Sequence, residues 1–155
     1  MKITMLAHGN TDPEKVMLMY KTVKFYAGYL KLLKSKYTLY VCSAPNLRKL
    51  QGNNGVCSRT NDREITVAVD STLEFAQLCL TLAHEMVHVK QLVRGQYKSE
   101  VARNGRMKRM WLGKQYSVAY LKRPWEREAF RREGELFDNL IQHIAQKVKK
   151  QQSLI

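Results

Sequence analysis

Two histidines four residues apart, His84 and His88, with Glu85 directly after the first, are the residues of this chain whose types and spacing could do chemistry. On an α-helix each residue advances about 100°, so positions four apart stand about 40° apart on one face, one turn along the axis. Both imidazoles then point the same way and make half of a tetrahedral zinc site, while Glu85 can reach a water held by the metal. The chemistry implied is metal-assisted hydrolysis with Glu85 as general base. The three fixed positions of an HExxH pattern occur by chance in on the order of one chain in a few hundred of this length, so the surroundings must decide. Phe75, Leu78, Cys79, Leu82, Ala83, Met86 and Val87 recur at helical spacing, which buries the helix under a core. Two imidazoles and a carboxylate on such a helix are costly without a partner that uses them.

The elements that must hold this helix can be read in order. Thr11, Asp12, Pro13 and Glu14 read as a helix start, with His8 in a polar segment before them, and Val16, Met19, Tyr20, Val23, Ala27, Leu30 and Leu33 predict an amphipathic helix over roughly 13–35. Residues 37–42 alternate as a strand, and a loop is expected over 44–55. Residues 56–60 and 64–69 flank Asn61-Asp62 and predict a β-hairpin. Ser71, Thr72, Leu73 and Glu74 read as a capping box opening the HExxH helix, which should run to Leu92 or Val93 and stop at Arg94-Gly95. The basic stretch 98–114 reads as a loop or irregular arm and 116–120 as a short strand or extended segment returning to the core. Pro124 opens a last helix whose apolar side includes Ala129, Phe130, Leu136, Phe137, Leu140, Ile141 and Ile144, loosened at Gly134 and fraying over 147–152. Strands laid down before a long helix give an α+β layer arrangement: a small antiparallel or mixed sheet on the HExxH helix, with N- and C-terminal helices.

Composition bounds the partners. The chain has 155 residues, 45% hydrophobic and 26% charged, which is enough for one domain spanning 1–155 and too few for two. No apolar run is long enough to span a bilayer, and no secretory signal opens the chain, so a cytoplasmic protein without a membrane partner is expected, in the host cytoplasm if phage-encoded. Cys42, Cys57 and Cys79 are an odd number without a close pair, against a disulfide framework or a cysteine-rich zinc site. Lys and Arg outnumber Asp and Glu 27 to 13, a net charge of +14 that favours contact with a polyanion, nucleic acid being the usual one inside a cell.

A hydrolytic zinc site needs a third protein ligand and an open fourth position. The candidates are His8, His143, Glu126, Glu128, Glu133, Glu135 and Asp138. Glu126 and Glu128 stand in the first turn of the last helix; Glu126 shares a face with Ala129, whose small side chain allows close helix approach, so Glu126 is preferred over Glu128. An oxyanion donor is also required, with Tyr116, Tyr120 and His143 as candidates.

With these residues assembled, the chain resembles the glutamate-ligand zincin metallopeptidases, the gluzincins. LAHEMVHVKQ and PWEREAF are similar to segments of small phage-encoded, SprT-like or ImmA/IrrE-like minimal metallopeptidases, and the resemblance covers roughly 55–137. It implies a small sheet packed on the HExxH helix, with an edge strand that aligns an extended peptide, here 64–69 or its hairpin partner. It also implies one zinc ion on His84, His88 and Glu126, Glu85 as general base, and a protein or peptide substrate. The chain departs from SprT proper in lacking a third histidine close after His88 and a cysteine-rich ribbon, so DNA-linked proteolysis does not carry over. The competing expectation is a basic nucleic-acid-binding or virion-associated protein whose metal site is structural or inactive.

Overall fold

Period-two burial organises the larger sheet. In Thr38–Ala44 (β2) and Glu64–Asp70 (β4), Leu39, Val41, Ile65, Val67 and Val69 face the core, and the two strands run parallel with Leu39 opposite Ile65 and Val41 opposite Val67. Lys2–Leu6 (β1) adds in parallel outside β2, and Gly55–Asn61 (β3) adds antiparallel to β4, giving the order β1-β2-β4-β3. The 64–69 strand is therefore interior, paired on both sides, and its hairpin partner β3 is the edge. The computed structural model describes residues 1–6 and 12–153, so His8 and Thr11 lie outside the described residues.

Three long helices share one hydrophobic core with this sheet. Pro13–Tyr29 (α1) starts at Asp12, whose side chain accepts from the Glu14 N–H. It ends six residues earlier than the apolar pattern predicts. Lys31 takes a left-handed φ of 58°, its N–H reaches the Gly28 carbonyl and the Leu32 N–H reaches Ala27, a Schellman closure that folds Leu30 and Leu32 back into the core. Phe75–Val93 (α3) is the HExxH helix, and it closes the same way with Gly95 at φ 65° and the Gln96 N–H on the Gln91 carbonyl. Its start is not a capping box. Glu74 is the N-cap and makes no side-chain cap bond; Asp70 instead accepts from the Thr72 N–H and hydroxyl and from the Arg48 N–H, tying the end of β4 to the lead into α3. The expected 44–55 loop carries a short helix, Leu47–Gln51 (α2).

The basic stretch after α3 is ordered rather than irregular. Tyr97–Val101 (β5), Met107–Trp111 (β6) and Lys114–Tyr116 (β7) form a three-stranded antiparallel meander, so the expected strand over 116–120 ends at Tyr116, and Tyr120–Lys122 is a 3₁₀ turn. Main-chain pairing satisfies the backbone here whatever the side-chain charge, which is why a cationic sequence still forms strands. Pro124–Gln152 (α4) then runs 29 residues without a break. Gly134 does not interrupt it, and 147–152 remain helical. Met19, Val23 and Tyr26 of α1, Leu82, Met86 and Val89 of α3 and Ala129, Leu136 and Leu140 of α4 join the sheet residues in one hydrophobic cluster. The fold is α+β. No described helix is long and apolar enough to cross a membrane.

Candidate metal centre

α3 presents His84 and His88 on one face, their rings edge to face with centroids 4.9 Å apart and their Nε2 atoms 3.2 Å apart. The first turn of α4 lies across them. Buried Trp125 and Ala129 hold it there, and Glu126 Oε2 stands 3.4 Å from each of the two Nε2 atoms. A tetrahedral ion with bonds of about 2.0–2.1 Å has ligand–ligand edges of roughly 3.3–3.4 Å; the three separations found are 3.2, 3.4 and 3.4 Å. Among the described residues, these three side chains are the group that could hold a metal ion.

The outer nitrogens of both rings are tied down. His84 Nδ1 lies 2.7 Å from Glu133 Oε2, and a carboxylate can only accept, so Nδ1 carries the proton. His88 Nδ1 lies 2.8 Å from Gln91 Oε1. The Gln91 amide is itself oriented, because its Nε2 donates to the Trp125 carbonyl at 3.0 Å and to Glu128 Oε2 at 2.9 Å, leaving Oε1 to accept from the imidazole. With Nδ1 so engaged, both rings turn Nε2 toward the same point as a carboxylate oxygen, and a ring that gives up its Nε2 proton directs a lone pair there. Glu126 Oε2 is buried and has no hydrogen-bond partner. Three convergent acceptors without a donor are costly in a low-dielectric setting, and a cation is what they fit.

The titration directions follow from the same geometry. Burial pushes the Glu126 carboxyl up, but the facing imidazoles outweigh it and hold it well below the usual carboxylate range. Burial pulls His84 down, yet the Glu126 and Glu133 carboxylates prevail and raise it to about 9; burial pulls His88 down too, and Glu126, followed by Glu85, raises it. Glu85, 6% exposed, is raised by burial against the opposing pull of His88 and His84.

Glu85 lines a cavity of about 680 Å³ together with His84, His88, Glu126, Tyr120, Phe130, Glu133 and the Gly55–Cys57 end of β3. The backbone of β3 comes in very close: a Cβ on Gly55 would lie 2.6 Å from Thr81 Cγ2 and 2.9 Å from Glu85 Oε1. Of the three oxyanion candidates, Tyr120 alone lines this cavity. Burial, followed by the neighbouring Glu126 carboxylate, raises its phenol above the ordinary range and keeps the O–H donor. Tyr116 instead meets Trp125 edge-on at 6.4 Å, and His143 packs on Phe25 at 4.9 Å, so neither takes the expected place.

Glu128, the alternative third ligand, is engaged elsewhere: it forms an ion pair with Lys90, whose side chain is 3% exposed, and accepts from Gln91. Glu135 accepts from the Tyr29 hydroxyl at 2.9 Å. The cysteines are free and none joins the cluster. The sequence reading missed Gln91 and Gly55 and weighed Glu133 only as a ligand. Glu133 lies seven residues, two helical turns, beyond Glu126, and Gln91 lies three beyond His88, so their helical spacing carried a usable signal. In comparisons with protein-family models, with curated proteins and with solved structures, nothing matches this chain.

Proposed function

We infer that the protein is a zinc-dependent peptidase that hydrolyses a protein or peptide substrate. The observation that carries this reading is the convergence of His84 Nε2, His88 Nε2 and Glu126 Oε2 at tetrahedral spacing, with both imidazoles locked from behind and Glu85 beside the cavity. Two imidazoles, one carboxylate and no fourth side-chain donor among the described residues fit zinc in a catalytic rather than a closed structural setting. When bound, the ion supplies a Lewis acid that acidifies water and polarises the scissile carbonyl.

The chain's own residues do the rest. Glu85 takes the proton of the attacking water, and burial makes it a stronger base than a solvated carboxylate. As the carbonyl carbon gains the water oxygen and the C–N bond breaks, Glu85 delivers that proton to the departing amine. Tyr120 donates its O–H toward the carbonyl oxygen as charge builds there. The unpaired side of edge strand β3 offers backbone groups to an extended peptide, and the missing side chain of Gly55 lets that strand lie directly against Thr81 and Glu85.

Glu85→Gln tests the reading. The variant should keep one zinc per chain by metal analysis and lose cleavage of a peptide library by at least about 10²-fold. Retained cleavage with retained zinc would remove Glu85 from the chemistry and leave a binding protein whose metal is structural.

A further inference from the structure

The eight cations Lys98, Arg103, Arg106, Lys108, Arg109, Lys114, Lys122 and Arg123 fall in a stretch with Glu100 as its single acid. Folding concentrates part of this charge. The meander and the segment leading to α4 enclose a second cavity of about 590 Å³, whose lining includes Arg106, Lys108, Arg109 and Arg123 and no acidic residue. Among the described residues none of these four forms an ion pair; Arg123 lies over the Tyr120 ring at 5.4 Å. Arg109 is the cross-strand partner of Tyr116, so the two share a face of the meander. That face is the one turned toward Trp125, because Trp125 touches both Tyr97, at 4.8 Å between centroids, and Tyr116. A guanidinium beside an aromatic ring in a cationic hollow matches a phosphodiester with its base, the ring taking the base and the arginines the phosphates. The hollow is of a size for one small-molecule group and has no room for a duplex.

We propose that this cavity is a binding site for single-stranded nucleic acid, held through its phosphates by Arg106, Arg109 and Arg123 and through a base by Tyr116. The site stands on its own charge and shape and does not depend on whether the metal centre hydrolyses peptides. Trp125 lines it whereas Glu126 lines the cavity of His84 and His88, and the two cavities share no lining residue.

The test is fluorescence anisotropy of a labelled oligothymidylate over a salt series, with the full chain. The expected result is that Arg106→Gln/Arg109→Gln makes the slope of log affinity against log salt shallower by about 1.4, at roughly 0.7 per lost phosphate contact, and weakens binding roughly tenfold. Tyr116→Leu should weaken binding at least about fivefold while leaving the slope unchanged, since stacking releases no counterions. Lys21→Gln/Lys24→Gln on α1 removes the same charge and should change binding much less. Arg123→Gln serves as a second phosphate variant if the double variant does not fold. Three outcomes overturn the proposal: Arg106/Arg109 or Arg123 variants indistinguishable from the α1 control, tighter binding of a duplex of the same length, or equal competition by polyglutamate. None of these outcomes bears on Glu85→Gln, so the two readings fail separately.

Discussion

His84 and His88 are set to act together by what stands behind them. A ring that donates from Nδ1 to Glu133 or Gln91 has its lone pair on Nε2, and both lone pairs aim at one point. Removing the acceptor behind a ring frees its tautomer and its rotation and lowers its basicity. Glu133→Ala should therefore weaken metal binding about 10–100-fold, as read by competition with a chromophoric chelator, although Glu133 is not one of the three convergent donors. Glu126→Ala should abolish stoichiometric binding. Glu128→Ala should do something different: it leaves the three donors in place but strands the Lys90 ammonium, whose side chain is 3% exposed, without its partner. Zinc should remain near one per chain while denaturant unfolding shows a loss of about 3 kcal/mol. Zinc lost from Glu128→Ala and kept by Glu126→Ala would reverse the ligand assignment.

The elements divide into those whose position a local pattern dictates and those that tertiary contacts dictate. α3 was readable from the sequence over almost its whole length, since apolar spacing, the HExxH face and the Gly95 stop all agree, and a helix fixes its own internal geometry. Glu126 was readable for the same reason, being one turn from Ala129 at a proline-marked helix start. β1 and the β5–β7 meander were not, because their pairing partners are distant or their strand pattern is overlaid by lysine and arginine. Nor was the role of Gly55, which no neighbouring residue announces; it arises because β3 meets α3 at Thr81 and Glu85. That contact makes a separable prediction. Gly55→Ala forces a methyl to within 2.6 Å of Thr81 Cγ2 and 2.9 Å of Glu85 Oε1, so the strand or the side chains must shift. The expected cost is about 1–3 kcal/mol of stability, with a loss of the proposed peptidase activity on the order of tenfold or more because Glu85 is one of the displaced groups. Adding Thr81→Ser deletes the Cγ2 clash and should restore much of the melting temperature without restoring the activity. Full recovery of both would mean that Gly55 acts through packing alone.

For the whole molecule, a cluster of three acceptors must be met by either a metal or a proton, and this couples stability to pH. His84 is raised to about 9 from its ordinary 6.5, so its contribution is fully present below about 6.5 and is lost as the pH rises through about 9. Glu126 is lowered, so its contribution is present above the ordinary carboxylate value and is lost only as the pH falls well below it. Protein stripped by a chelator is thus favoured by this cluster between the two limits, and raising the pH from 7 to 10 removes a stabilisation on the order of 2–3 kcal/mol. In a chain of this length that corresponds to a melting temperature lower by about 5 °C or more. Zinc-loaded protein should fall less, since the ion takes the place of the departing proton, and His84→Leu should lose the excess drop of the stripped form because the titrating ring is gone. Thermal melts of stripped, loaded and His84→Leu protein at both pH values decide the matter: an equal drop in all three would detach the pH sensitivity from the cluster between α3 and α4.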